Sequence, residues 1–249
     1  MTPILRTTLL YSLVPVLCTI VGAAAGTFVP GMARMRSYVL HLAAGVVFAV
    51  VAVELLPEIQ RRALVGDVVL GFALGIATML AADKLIDRIR GDDNDGDSGV
   101  TVSSPVSASL FVAVAIDFLL DGLLLGVGFA AGARIGILLA LAEAAEQLSV
   151  GLALAGELTS AGVSRTRVLV IVSALGSLVF LTAVLGATVL GGLSDGTMEV
   201  VLSFGAAALL YLVTEELLRE AHEERETVLG TMMFFVGFLA FLVVGMTLG

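Results

Sequence analysis

Eight runs of about twenty apolar residues, most of them separated by only a few polar ones, leave this chain little freedom in how it folds. Each run is long enough to cross the hydrocarbon core of a bilayer, and inside that core only a helix can satisfy its own backbone groups. The runs lie at about 8–29, 36–58, 65–86, 105–130, 134–158, 166–192, 196–222 and 226–248. With 59% hydrophobic residues and a mean hydropathy of +1.09, the 249 residues read as one all-α integral membrane domain, 1–249, of eight transmembrane helices. The run after Arg6 is longer than the apolar part of a secretory signal, so it reads as the first span.

The bases give the orientation. The first, third, fifth and seventh connections, with their flanks, hold Arg34, Arg36, Lys84, Arg88, Arg90, Arg165, Arg167, Arg219 and Arg225, which are nine of the 13 Lys and Arg residues. Positively charged connections stay in the cytoplasm, so the expectation is a multi-pass protein of the cell membrane with both termini extracytoplasmic. Only the third connection, 87–104, is long. Its Asp92, Asp93, Asp95 and Asp97 among Gly, Asn and Ser read as a flexible acidic linker. Gly91 at the first ligand position and Val102 at the twelfth do not fit a calcium loop, which favours a plain linker over a weak cation-collecting loop. Ser104 and Pro105 then suit the start of the fourth helix. Cys18 is alone, which excludes an intramolecular disulfide and a multi-cysteine metal site, and no basic patch offers nucleic acid a surface.

Against that apolar background the fourth and fifth spans carry Asp117, Asp121, Glu143 and Glu146 near their midpoints, with Gln147 beside them. Spacings of four and three residues put each pair on one helix face. A short turn near Gly132 makes the two helices antiparallel neighbours, so the expectation is that all four acids face one another at one depth. A carboxylate at the bilayer centre costs about 2.5–3.5 kcal/mol. No Lys, Arg or His lies at that depth to offset the charge: His41 and His222 both fall toward the cytoplasmic ends of their helices. Protons, a bound cation or both must do so. Four facing acids without a basic partner favour a cation site over a set of structural, protonated acids.

Other acids extend the line. Glu54 lies in the outer third of the second span, and Glu215 and Glu216 in the inner third of the seventh, where they could form a path for a cation. Read singly, each is equally a helix-end charge. Glu54-Leu55-Leu56-Pro57-Glu58 and Glu216-Leu217-Leu218-Arg219-Glu220 repeat one pattern on oppositely directed helices, as an inverted repeat would. Gly122 with Gly126, Gly128 with Gly132 and Gly71 with Gly75 read as helix-packing pairs.

The eight spans, the outward termini, the long third connection and the three-plus-two-plus-three inverted repeat resemble the ZIP (Zrt- and Irt-like protein) family of divalent-metal transporters across essentially the whole chain. His41-Leu42-Ala43-Ala44-Gly45 leading to Glu54-Leu55-Leu56-Pro57-Glu58 is similar to that family's second-helix signature, and the segment from Tyr211 to Ala221 to its seventh. Against the family's fourth-helix pattern His-Asn-x-Pro-(Glu or Asp)-Gly, this chain has Asp117, Phe118, Leu120 and Asp121-Gly122. Against the fifth-helix His-Glu-x-Pro-Glu it has Ala142, Glu143, Ala144, Ala145 and Glu146. The acids remain while histidines and prolines are gone. The resemblance therefore implies one metal position instead of two, lined by oxygen, and helices without proline kinks. Oxygen ligands shift preference from zinc toward manganese or ferrous iron, with magnesium also compatible.

The expectation is a non-enzymatic, ZIP-like transporter without a resident cofactor. Its partners are lipid and a divalent cation of the manganese, iron or zinc class, held by Asp117, Asp121, Glu143, Glu146 and Gln147, and its uptake is linked to protons. Assembly as a homodimer is left open. The alternatives are a proton-coupled or organic-cation carrier using the same acids without metal, and a non-transporting structural or receptor protein. A metal-dependent intramembrane hydrolase is disfavoured by the absence of histidine near the acids.

Overall fold

The computed structural model describes residues 3–29, 35–62, 64–92, 108–222 and 228–248. Among them are eight helices long and apolar enough to cross a membrane: Leu5–Phe28, Ser37–Arg61, Val65–Arg88, Leu110–Ala131, Ala133–Ser160, Arg165–Leu190, Gly196–Leu217 and Val228–Thr247. These are the first to eighth spans below. The all-α, multi-pass reading holds.

Local chemistry explains where the helices depart from the sequence expectation. The first begins at Pro3 and is interrupted at Ser12, between Pro3–Tyr11 and Leu13–Phe28. Pro15 has no N–H for the carbonyl four residues earlier, that of Tyr11, and its ring crowds that carbonyl. The Ser12 hydroxyl meanwhile donates to the Thr8 carbonyl at 2.6 Å. The third helix continues to Asp92, so the first part of the expected linker 87–104 is helical. Lys84 and Asp87, opposite in sign at i,i+3 spacing, favour continued helix over coil. The rest of that linker, with Ser104 and Pro105, lies outside the described residues.

The fourth and fifth helices run unbroken through their acids, as Ala108–Ala131 and Ala133–Ser160. Irregularity sits instead in the second and seventh spans, where Val51–Leu55 and Leu212–Leu217 are turns of π-helix. In the second span the wider turn makes room for the Pro57 ring beside the carbonyl of Val53. The seventh has Arg219 at the equivalent position, so proline is not required there. Its Thr214 hydroxyl instead bonds back to the Leu210 carbonyl at 3.0 Å, a contact that bends helices.

Four close helix pairs build the bundle: first on fifth, fourth on sixth, third on seventh, and second on eighth. The second, fifth and seventh spans are the most enclosed, while the third and eighth turn most of their residues outward. Side chains such as Val69, Leu70, Phe235 and Leu239 make that outer face apolar, as contact with lipid requires.

Glycines set how closely the pairs approach. A β-carbon on Gly22 would lie 2.1 Å from the Leu148 carbonyl oxygen, and one on Gly151 2.2 Å from that of Thr19. Gly45 against Phe234 and Gly237 against Leu42 repeat the arrangement between the second and eighth spans, at 2.0 and 2.2 Å. Of the glycines singled out by sequence, Gly71 and Gly75 pack on the seventh span, Gly122 and Gly126 on the sixth, and Gly128 on Leu139; Gly132 meets nothing and serves the turn. Gly45→Ala is therefore expected to destabilise the detergent-purified protein by about 1–3 kcal/mol through overpacking. Gly156→Ala, which meets nothing within 4 Å, should leave the thermal midpoint unchanged or slightly raised. Equal shifts for the two variants would show that backbone contact does not set the packing.

Candidate metal centre

The turn at Gly132 fixes the register of the two acidic helices. Asp121 and Glu143 each stand eleven residues from it, on opposite arms of the hairpin, and so come level. Asp121, Glu143 and Glu146 each offer one carboxylate oxygen to a group whose members all lie within 4.8 Å of one another, and all three residues are buried. Asp121 Oδ1 and Glu143 Oε2 are enclosed with no hydrogen-bond partner. Two oxygens on opposite sides of a small octahedral dication stand about 4.2 Å apart. Adjacent oxygens stand about 3.0 Å apart, so the group, at up to 4.8 Å, has to draw in to hold such an ion.

Asp117 does not join it. It shares a helix face with Asp121 but stands one turn away, about 6 Å along the axis. There it is half-buried, and its charge acts on both Asp121 and Glu143. Against the expectation that all four acids face one another at one depth, three gather. Glu146 and Asp117 stand 14 and 15 residues from Gly132, but side chains tilt toward the N-terminus of their own helix, which carries Glu146 toward Asp121 and Asp117 away from it.

Gln147 is fully buried, and its Nε2 donates to Asp121 Oδ2 at 2.7 Å. It stands fifteen residues past Gly132, level with Asp117. Side chains tilt toward the N-terminus of their own helix, and these helices are antiparallel, so the long amide of Gln147 leans back to reach Asp121. Its Oε1 accepts from the Thr19 hydroxyl on the first span at 2.9 Å. Thr19 was not foreseen. The signal for it was a hydroxyl residue in an apolar run, three residues before a glycine that packs on the fifth span.

The outlying acids have different surroundings. Glu216, half-buried on the π-turn of the seventh span, lies near enough for its charge to act on Asp121, whereas Glu215 is exposed. At the far end Glu54, on the other π-turn, is bound by Arg134 at 3.0 Å, and Arg134 also donates to the Gly245 carbonyl at 3.3 Å. A cavity of about 490 Å³ adjoins this pair and is lined by Glu58, Arg61, Pro57 and Leu242 among others. At the opposite end the rings of His41 and His222 meet edge to face, 5.2 Å between centroids. The Tyr211 hydroxyl donates to Asp83, tying the seventh span to the third. Neither contact was foreseen, because each joins residues that look like ordinary helix-end groups in sequence.

Three carboxylates this close cannot all be ionised unaided. At 4.8 Å each like-charge pair repels by about 3.5 kcal/mol at an effective dielectric of about 20. The ion pairs of Arg134 with Glu54 and of Arg61 with Glu58 lie toward the Arg134 end, away from the group. The arrangement is built to take positive charge, as protons or as a cation.

The Arg134 pair has a measurable consequence. Glu54 has only 10% of its side chain exposed, against 52% for Arg134. Arg134→Met keeps the apolar stem but strands that carboxylate. After allowance for the half-exposed guanidinium, a loss of about 1–2 kcal/mol is expected in detergent unfolding. Arg61→Met, whose pair is 3.8 Å long and 77% exposed on the arginine side, should change little.

No protein-family model matches this chain and no curated protein matches it, so the geometry of the carboxylate group carries the functional reading.

Proposed function

We propose that the chain is a ZIP-like transporter that carries a divalent metal cation across the cell membrane through the group formed by Asp121, Glu143 and Glu146. The observation that carries this reading is the burial of three carboxylates from adjacent spans within 4.8 Å, with Asp121 Oδ1 and Glu143 Oε2 unpartnered. A cation supplies what those oxygens lack. An all-oxygen group suits manganese, ferrous iron or magnesium better than zinc, which prefers nitrogen and sulfur.

The helix pairing supports the inverted repeat that the reading requires. Exchanging the first three spans for the last three, and the fourth for the fifth, turns the first–fifth pair into sixth–fourth and the third–seventh pair into eighth–second. The π-turns support it too. Each ends on the leucine that follows the first glutamate of the shared pattern, Leu55 after Glu54 and Leu217 after Glu216. Under this reading Glu54 and its adjoining cavity stand at the extracytoplasmic mouth and Glu216 lies on the inward side of the site. The termini then face outward, by the distribution of the bases.

Three carboxylates against a dication leave a formal charge of −1, and one proton neutralises it. A cation entering the protonated group therefore displaces protons. Adding manganese to purified protein in weak buffer is expected to acidify the medium, and Asp121→Asn should diminish the release.

The deciding experiment is ion uptake by proteoliposomes, with binding followed by calorimetry. Wild type is expected to accumulate manganese, and Asp121→Asn with Glu143→Gln to lower both uptake and affinity by more than about tenfold. Uptake that survives the double substitution unchanged would sink the assignment. Uptake of a proton or organic cation with no heat from any metal would turn it to a metal-free carrier.

A further inference from the structure

Asp121 has a neutral side chain fixed on its second oxygen. The Gln147 amide donates to Oδ2 at 2.7 Å, while Oδ1 is buried without a partner. A glutamine amide could turn the other way and present oxygen, which a carboxylate would repel. What prevents this is the far end of the amide. Thr19, wholly buried between Gly151 of the fifth span and Gly176 of the sixth, aims its hydroxyl at Gln147 Oε1. That hydroxyl has one proton and two acceptors within range, Gln147 Oε1 at 2.9 Å and the Pro15 carbonyl at 3.0 Å. Donation to Gln147 is the state that keeps the amide N–H on Asp121.

We propose that Gln147, oriented by Thr19, is a selectivity residue: it occupies Asp121 Oδ2, so that Asp121 binds a dication through Oδ1 alone and the site rejects calcium. This rests on the reading of the group as a divalent-metal site. Calcium takes six to eight oxygens at about 2.3–2.6 Å and gains several of them from carboxylates that bind through both oxygens. Small ions such as manganese and magnesium complete an octahedron with single oxygens and water. Capping one oxygen penalises the large ion and leaves the small ones nearly untouched. Gln147 thus acts through Asp121 as a positioning residue, not as a metal ligand.

The test is calorimetric titration of the whole purified protein with manganese, magnesium and calcium. Gln147→Met keeps the length of the side chain and removes the donor. It is expected to lower the preference for manganese over calcium by about tenfold, mainly through tighter calcium binding. Thr19→Val is isosteric, lets the amide turn, and should move the preference in the same direction by less; Thr19→Ser should restore it. Should Gln147→Met fail to fold, the Thr19 pair decides alone. A ratio unchanged in the folded variants, or an equal loss for all three ions, overturns the proposal while the metal reading stands. Wild type silent to every divalent ion overturns the metal reading and this inference with it.

Discussion

Charge without a counter-charge is the constraint on which the rest of this structure depends. Asp121, Glu143 and Glu146 sit in the middle of an apolar bundle, and the bases among the described residues stand toward the ends of their helices. A bundle held only by soft side-chain packing would relax such a group by spreading the acids apart. Here the surrounding helices touch backbone to backbone at Gly22, Gly151, Gly45 and Gly237, and close-packed interiors yield little. The glycine contacts and the acid group thus belong to one argument, because the first keeps the second together.

The chain treats its membrane carboxylates in two ways. Glu54, toward one end, is neutralised by Arg134 from another span, a bond that also reaches the backbone at Gly245. At the centre Asp121 receives an amide that is itself held by a hydroxyl, and neither adds charge. A guanidinium at the centre would satisfy the same oxygens permanently. Neutral donors orient the carboxylate and leave its charge uncompensated.

Much of this was legible in sequence. Run lengths gave the eight helices because the bilayer fixes what a run must be, and the acids of the fourth and fifth spans stood out because each is costly in lipid. Helical periodicity reports face and not depth, which is why Asp117 was placed with the group it merely adjoins. Counting outward from Gly132 leaves Asp117 and Glu146 nearly level, and only the direction in which each side chain tilts separates them. Thr19 was hidden for a different reason: its partner lies 128 residues away, and only the packing of the first span on the fifth brings them together. The helical extension to Asp92 was hidden by composition, since the Asp, Gly and Asn that follow look like coil from the start.

The placement of irregular backbone separates the site from its surroundings. Proline is missing from the fourth and fifth spans, and both helices are continuous past their acids, so every carbonyl there is committed to the helix ladder. The π-turns fall on Glu54 in the second span and on Glu215 and Glu216 in the seventh, where the wider ring shifts the ladder by one residue and loosens its carbonyls. Backbone hydrogen bonding is thus irregular beside the outlying acids and regular at the centre. A cation at the centre must be bound by side chains alone.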